Sequence, residues 1–116
     1  MSTETRLSLP AGDTAPETNS EKTNAEVILF SSRSCVVCRT LKPKIRKLLA
    51  DEFPQLHLRE IDCDQEPEQT LRFGVRTVPT VILRFAGQET ARRERVFSLG
   101  QLRDDIERPY RIYFAV

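Results

Sequence analysis

Tryptophan is absent from this chain, methionine and histidine occur once each, and cysteine occurs three times. Three is an odd number for a framework of static disulfides, and the lone histidine, His57, leaves any metal site to lean on the cysteines. A surplus of either charge is also missing. The 116 residues carry 18 basic and 17 acidic side chains, a formal +1, so the overall balance does not argue for nucleic acid. No apolar run reaches the length of a membrane span, and "EVILF" is the longest such block near the front. The opening "MSTETRLSLPAGD" has no apolar core of the length a secretion signal needs. The expectation is a soluble, cytoplasmic protein with no membrane partner, of a size that yields one compact domain. In such a reducing compartment a close cysteine pair points to catalysis or metal binding.

Residues 1–24 are rich in Ser, Thr, Glu, Asn and Pro, with Leu7 and Leu9 the only sizeable apolar residues beyond Met1. So little apolar surface cannot offset the entropy of ordering, and the segment reads as a disordered tail. The run "AEVILF", 25–30, suits a central strand covered on both faces. Val37, Leu41, Ile45, Leu48 and Leu49 then recur at helical spacing from Val36 to Ala50, opposite a cationic face. Pro43 falls inside that helix and is expected to kink it. Gln55 to Ile61 reads as a second strand. Pro67 suits the first turn of a short helix to about Phe73, with Gly74 as its cap. Residues 80–97 read as a hairpin turning near Ala86–Gly87–Gln88. Ser98 is placed to N-cap a last helix that Pro109 is expected to end. The order β-α-β-α-β-β-α implies a mixed sheet flanked by helices, an α/β domain over 25–108.

In "SSRSCVVCRTLKP", residues 31–43, a strand feeds two cysteines three positions apart that open a helix. Cys35 is expected at the helix N-terminus, where free N–H groups and the dipole favour an anion. Arg33, Arg39 and Lys42 add to that effect, and the thiolate is the attacking species in disulfide exchange. Cys38 lies one turn on, on the same side, within bridging reach. The expected cycle is attack by Cys35 on a substrate disulfide, a mixed disulfide, and resolution by Cys38.

From about Glu26 to Glu107 the chain resembles the thioredoxin family. The resemblance rests on CxxC, on Pro43 five residues later, on "IDCDQEPEQTLRFGVRTVPT" at 61–80 and on "GQLRDDI" near the end. It implies a thioredoxin-like fold in which Val78–Pro79 is a cis peptide facing the cysteines and Val78 presents its backbone to substrate. Pro43 takes the place of the family's kinking proline, a structural role. The resemblance also implies a protein-disulfide oxidoreductase with no bound cofactor, recharged by a thioredoxin-reductase-like or dithiol donor. The family's first β-α unit is expected to be missing or altered, since 1–24 looks unable to supply it.

The chain departs from the family pattern at several positions. Val36 and Val37 stand where the family usually has Gly-Pro, two β-branched residues that are unusual in an exposed first turn, and they are expected to form an apolar docking surface and to reset the redox poise. Ser34 replaces the usual tryptophan. The family's buried aspartate aligns with Leu29 and its lysine partner with Leu58, so both charges are lost together, as when apolar contact replaces a buried ion pair. A groove glycine aligns with Arg95, which is expected to make the substrate rim bulkier and more cationic.

Other readings of the same residues stand beside this one. Cys35, Cys38, His57 and Cys63 are four soft ligands, a set zinc accepts, although His57 and Cys63 are spaced unlike a zinc knuckle, and no residue is assigned to a metal. An iron–sulfur cluster shared between chains is a further reading. Cys63 alone reads as a packed small residue and His57 as an outward strand residue. A non-catalytic module binding a partner through Val36, Val37, Val78 and the apolar end is the rival function. That end, "RPYRIYFAV", is too apolar for a free tail, and 109–116 is expected to pack on the domain.

Overall fold

The computed structural model describes residues 24–115; the tail expected over 1–24 lies, but for Asn24, outside the described residues. Within them the elements run β1 (Ala25–Ser31), α1 (Val36–Glu52), β2 (His57–Asp62), α2 (Pro67–Arg72), β3 (Thr80–Phe85), β4 (Gln88–Glu94) and α3 (Leu99–Phe114). The four strands form one mixed sheet in the order β2-β1-β3-β4. β1 pairs parallel with β2 and antiparallel with β3, and β4 pairs antiparallel with β3.

The two apolar strands hold the centre because each is buried on both faces. Val27 and Leu29 of β1, with Val81, Leu83 and Phe85 of β3, face α1 and α3, where Ile45, Leu48, Leu49, Leu102 and Ile106 complete the larger core. Ile28, Phe30 and Ile82 point the other way and join Ile61 and Val75, with Phe73 and Val78 packed against them. This alternation is the two-residue period of the strand expressed as two half-cores. The edge strands are polar, and β4 is almost entirely so, which suits an edge facing water.

Phe73, just past α2, roofs the second half-core. Guanidiniums of Arg59 and Arg84 both sit 5.6 Å from its ring centroid, and Glu26 pairs with each of them across the strands at 3.6 and 2.9 Å. Arg92 of β4 donates to the Phe73 carbonyl at 2.8 Å.

Two prolines sit in helix interiors. α1 runs without interruption through Pro43. α3 does not stop at Pro109, as its sequence suggested, but continues to Phe114. Pro109 removes the N–H that would bond the Asp105 carbonyl, a cost of about 3 kcal/mol in an ordinary helix interior. The aromatic residues beyond it supply the compensation. Tyr110 meets Phe53 edge-on at 5.0 Å and Phe114 at 4.8 Å, and Tyr113 meets Phe85 at 5.8 Å. Leu102, Ile106, Tyr110 and Tyr113 form one stripe at helical spacing facing the sheet. At its other end α3 is closed by a capping box in which Ser98 and Gln101 satisfy each other's backbone N–H.

The β3–β4 hairpin turns at Ala86 and Gly87, both with positive φ (56° and 77°), the pair of angles a two-residue hairpin requires. β4 ends earlier than the sequence pattern suggested. Arg95 adopts φ 64°, which takes the chain out of the extended region and leaves Val96 and Phe97 beyond the sheet.

Candidate active site

The strand registers bring four chain ends together at one edge of the sheet. Ser31 lies beside Asp62, Phe30 beside Thr80, and Thr80 beside Glu94. The segments just beyond these residues carry the CxxC, Cys63, the Val78–Pro79 bond and Arg95. Residues distant in sequence therefore share one rim because each is next to a strand terminus there.

From Ser31 the chain turns through residues 32–34, where the Cys35 N–H donates to the Ser32 carbonyl at 3.2 Å. Cys35 is the N-cap of α1. Its backbone is extended, and its sulfur accepts the Cys38 N–H at 3.2 Å, the place an N-cap oxygen would take. Cys35 and Cys38 are joined in a disulfide with their Cα atoms 5.3 Å apart. The two sulfurs are not equivalent. Cys35 is half-buried, whereas the Cys38 residue is only 1% exposed. Val36 and Val37 between them are 68% and 58% exposed, so the first turn of α1 shows apolar surface to solvent beside the outer sulfur.

The Val78–Pro79 peptide is cis. The turn around it is tied twice: the Thr80 hydroxyl donates to the Thr77 carbonyl at 2.7 Å, and the Arg95 N–H donates to the Pro79 carbonyl at 2.8 Å. The second bond fastens the end of β4 to this turn, which is why Arg95 lies at the rim. Pro79 is buried and Val78 half-buried, the latter packed on the second half-core. Sequence reasoning did not single out Val96, which follows Arg95 and is 93% exposed. In the sequence it looks like one more apolar residue of the hairpin, and only the positive φ before it shows otherwise.

Cys63 is a free thiol, half-buried. Its N–H donates to the Ser31 carbonyl at 2.8 Å, extending the β1–β2 ladder by one bond. With Ser32, Asp64, Arg76 and Val78 it lines a pocket of about 220 Å³. Cys63 thus borders the rim while also packing on the second half-core. His57 begins β2 and Cys63 follows its end, a separation of roughly 20 Å at 3.3 Å per residue. Among the described residues no group of three or more His, Cys, Asp or Glu is arranged to hold a metal ion.

Leu29 is fully buried and belongs, with the half-buried Leu58, to the core under α1. Ser31 and Thr80 are the only buried polar residues among those described, so no buried carboxylate accompanies the enclosed Cys38 sulfur. Glu60 and Glu89, both held below the usual carboxylate range, owe this first to hydrogen bonds from Arg46 and Arg92. Both lie on the sheet outside the rim.

Comparison with known proteins agrees with this geometry. The family profile described as Thioredoxin matches residues 15–108. The thioredoxin-like protein YdfQ of Bacillus subtilis is 37% identical over 86 residues, covering 74% of this chain and 76% of its own. Thioredoxin H2 of Arabidopsis thaliana is 32% identical over 82 residues, 71% of this chain but 57% of the plant protein. Among solved structures, thioredoxin 1 of Thermosipho africanus superposes with a TM-score of 0.69 at 30% identity, covering 75% of this chain and 96% of that one. Fasciola hepatica thioredoxin gives 0.71 at 26% identity over 80% and 89% of the two chains. No helix among the described residues is long and apolar enough to cross a membrane.

Proposed function

The chain belongs to the thioredoxin family, and on that footing we propose that it is a thiol–disulfide oxidoreductase acting on protein disulfides through Cys35 and Cys38. The observation that carries this reading is the unequal pair of sulfurs: one at a helix N-cap within reach of solvent, the other buried one turn behind it.

In the reduced protein the N-terminal amides of α1, the Cys38 N–H foremost, stabilise a Cys35 thiolate. That thiolate attacks one sulfur of a substrate disulfide. A Cys35–substrate bond forms, the substrate S–S bond breaks, and the displaced substrate sulfur leaves as a thiolate that takes up a proton. Cys38 then loses its proton and attacks the Cys35 sulfur. The Cys35–Cys38 bond forms and the second substrate thiolate departs. Two electrons have passed to the substrate, which leaves as a dithiol. An external dithiol, or a thioredoxin-reductase-like donor, returns two electrons and two protons to the pair.

Val78 presents its backbone to the substrate as a strand-like partner, and Pro79 shapes the turn that does so. Val36 and Val37 supply apolar contact on the other side of the sulfur. With Leu29 in the core, the Cys38 proton passes to water or to buffer rather than to a buried acid. The reducing cytoplasm is the compartment that suits such a cycle.

Dithiothreitol-driven reduction of insulin tests the proposal. The parent protein is expected to accelerate it, Cys35→Ser to abolish the effect, and Cys38→Ser to accumulate a mixed disulfide. A Cys35→Ser protein as active as the parent would sink the reading. A second reading, a binding module without turnover, draws on the exposure of Val36, Val37 and Val96. It expects partner binding that survives the loss of both thiols.

A further inference from the structure

We propose that the rim around the cysteine pair selects acidic polypeptides, with Arg95 and Arg76 as specificity-determining residues. The inference rests on the oxidoreductase reading above and names its substrate class. Its starting point is where this chain leaves arginines unpaired. Arg46, Arg59, Arg84, Arg92, Arg93 and Arg103 all form ion pairs with carboxylates on the sheet and helices. The arginines at the rim have no such partner among the described residues.

Arg33 is exposed in the loop before Cys35, and the Arg39 guanidinium folds back to donate to its carbonyl at 3.1 Å. Two positive charges therefore belong to the short stretch of chain that carries the outer sulfur, two residues before and four after Cys35. Arg76 is exposed on the far side, lining the pocket with Ser32 and Val78. Arg95 closes a third side through its N–H bond to Pro79. Of the acids at this rim, Asp62 accepts the Asp64 and Gln65 N–H groups and Glu94 lies 4.0 Å from Arg92, which leaves Asp64, in the same pocket as Arg76, set against these four cations. The three other arginines without an ion pair among the described residues, Arg72, Arg108 and Arg111, lie on α2 and in the last turns of α3.

Arg95 is the most informative of the four. Its φ of 64° is a conformation that glycine adopts freely and that costs a side-chain-bearing residue about 1–2 kcal/mol. The N–H bond to Pro79 accounts for the backbone turn and needs no side chain, whereas the long, exposed guanidinium side chain has no ion-pair partner among the described residues. What it does is carry a charge to the rim. The apolar residues on the segments that meet at this rim are the exposed Val36, Val37 and Val96 and the half-buried Val78, of which Val96 follows Arg95 in sequence. An extended peptide laid along them would present its flanking side chains to Arg95 on one side and to Arg33, Arg39 or Arg76 on the other. Aspartate and glutamate are the residues that fit, and lysine and arginine are repelled. Fields of this kind act mainly on the rate of encounter and fade as salt shortens the Debye length from about 10 Å at 0.1 M to about 3 Å at 1 M.

Two synthetic peptides with the same disulfide loop, one flanked by glutamates and one by lysines, provide the test. At low salt the parent is expected to reduce the glutamate peptide roughly tenfold faster or more, with the preference collapsing near 1 M salt. Arg76→Glu/Arg95→Glu should reverse the preference. Arg95→Gly removes the charge while suiting the backbone, and should weaken the preference without lowering the melting temperature; Arg95→Lys should keep it. Equal rates for the two peptides, or a preference indifferent to salt and to these variants, would overturn the proposal. Binding of the same peptides, alkylated so that no exchange is possible, to the Cys35→Ser/Cys38→Ser protein separates the two claims. Tighter binding of the glutamate peptide with no turnover by the parent means that the surface stands and the oxidoreductase reading falls. Equal binding means that the surface proposal falls, whatever the turnover.

Discussion

Replacing Tyr110 with alanine isolates the contribution of the last turns of α3. The ring is half-buried and touches Phe53 at 5.0 Å and Phe114 at 4.8 Å, both within the range in which aromatic pairs attract. Its hydroxyl accepts the Gln55 N–H at 3.2 Å, bridging α3 to the segment between α1 and β2. Removing a fully buried aromatic ring costs about 3–5 kcal/mol. Half-burial reduces that, while the two ring contacts and the hydrogen bond restore part of it, giving about 2–3 kcal/mol. For a domain of this size that corresponds to roughly 10–20 °C in melting temperature.

The assay is thermal and urea unfolding followed by circular dichroism. Ile112→Ala serves as the control. Ile112 lies two residues further along the same helix but is 67% exposed, so its truncation should stay within about 0.5 kcal/mol. If Tyr110→Ala melts within about 2 °C of the parent, the ring contributes less than about 0.5 kcal/mol, and the account of how α3 survives Pro109 is wrong.

Three further outcomes follow from the geometry of the site and the sheet. Resolution of the mixed disulfide, followed by stopped flow, should accelerate as pH rises from 6 to 9, because Cys38 is buried without a carboxylate to take its proton; a flat profile would refute this. Leu29→Asp should flatten that profile while costing several kcal/mol in unfolding free energy, since it exchanges core burial for an unpaired buried acid. Glu60→Gln should lower stability slightly at pH 7 and not at all at strongly acidic pH. The Arg46 hydrogen bonds hold the folded carboxyl below its unfolded value, so the contribution is present above the ordinary carboxylate range and is lost as pH falls through the folded value. Urea midpoints for parent and variant across pH 2–7 should converge at the acid end, and parallel curves would sink the assignment.

Much of this architecture could be read from local pattern. The apolar run of β1 announced a strand covered on both faces, the pattern over 80–97 announced a hairpin, and Ser98 announced the start of α3. The CxxC after a strand was legible because its chemistry depends on a local feature, the helix N-terminus. What the pattern hid was decided by contacts across the chain. Pro109 is a strong local stop signal, overridden by Phe53 and Phe85, which are far from it in sequence. Val96 and Arg95 seemed to continue a strand, and only the bond from Arg95 to Pro79 explains why the chain turns there. The place of Cys63 at the rim follows from the β1–β2 register, which no single segment encodes.

The cysteine pair, Cys63, the Val78–Pro79 bond and Arg95 all gather where Ser31, Asp62, Thr80 and Glu94 end, at one border of the sheet. The exposed Ala86–Gly87 hairpin belongs to the opposite border, across from Ala25. A fluorophore, an affinity tag or a surface tether inserted there would stand a full strand's length from the thiols. The protein could then be immobilised with its cysteine pair pointing outward, the orientation that the peptide-binding and reduction assays require.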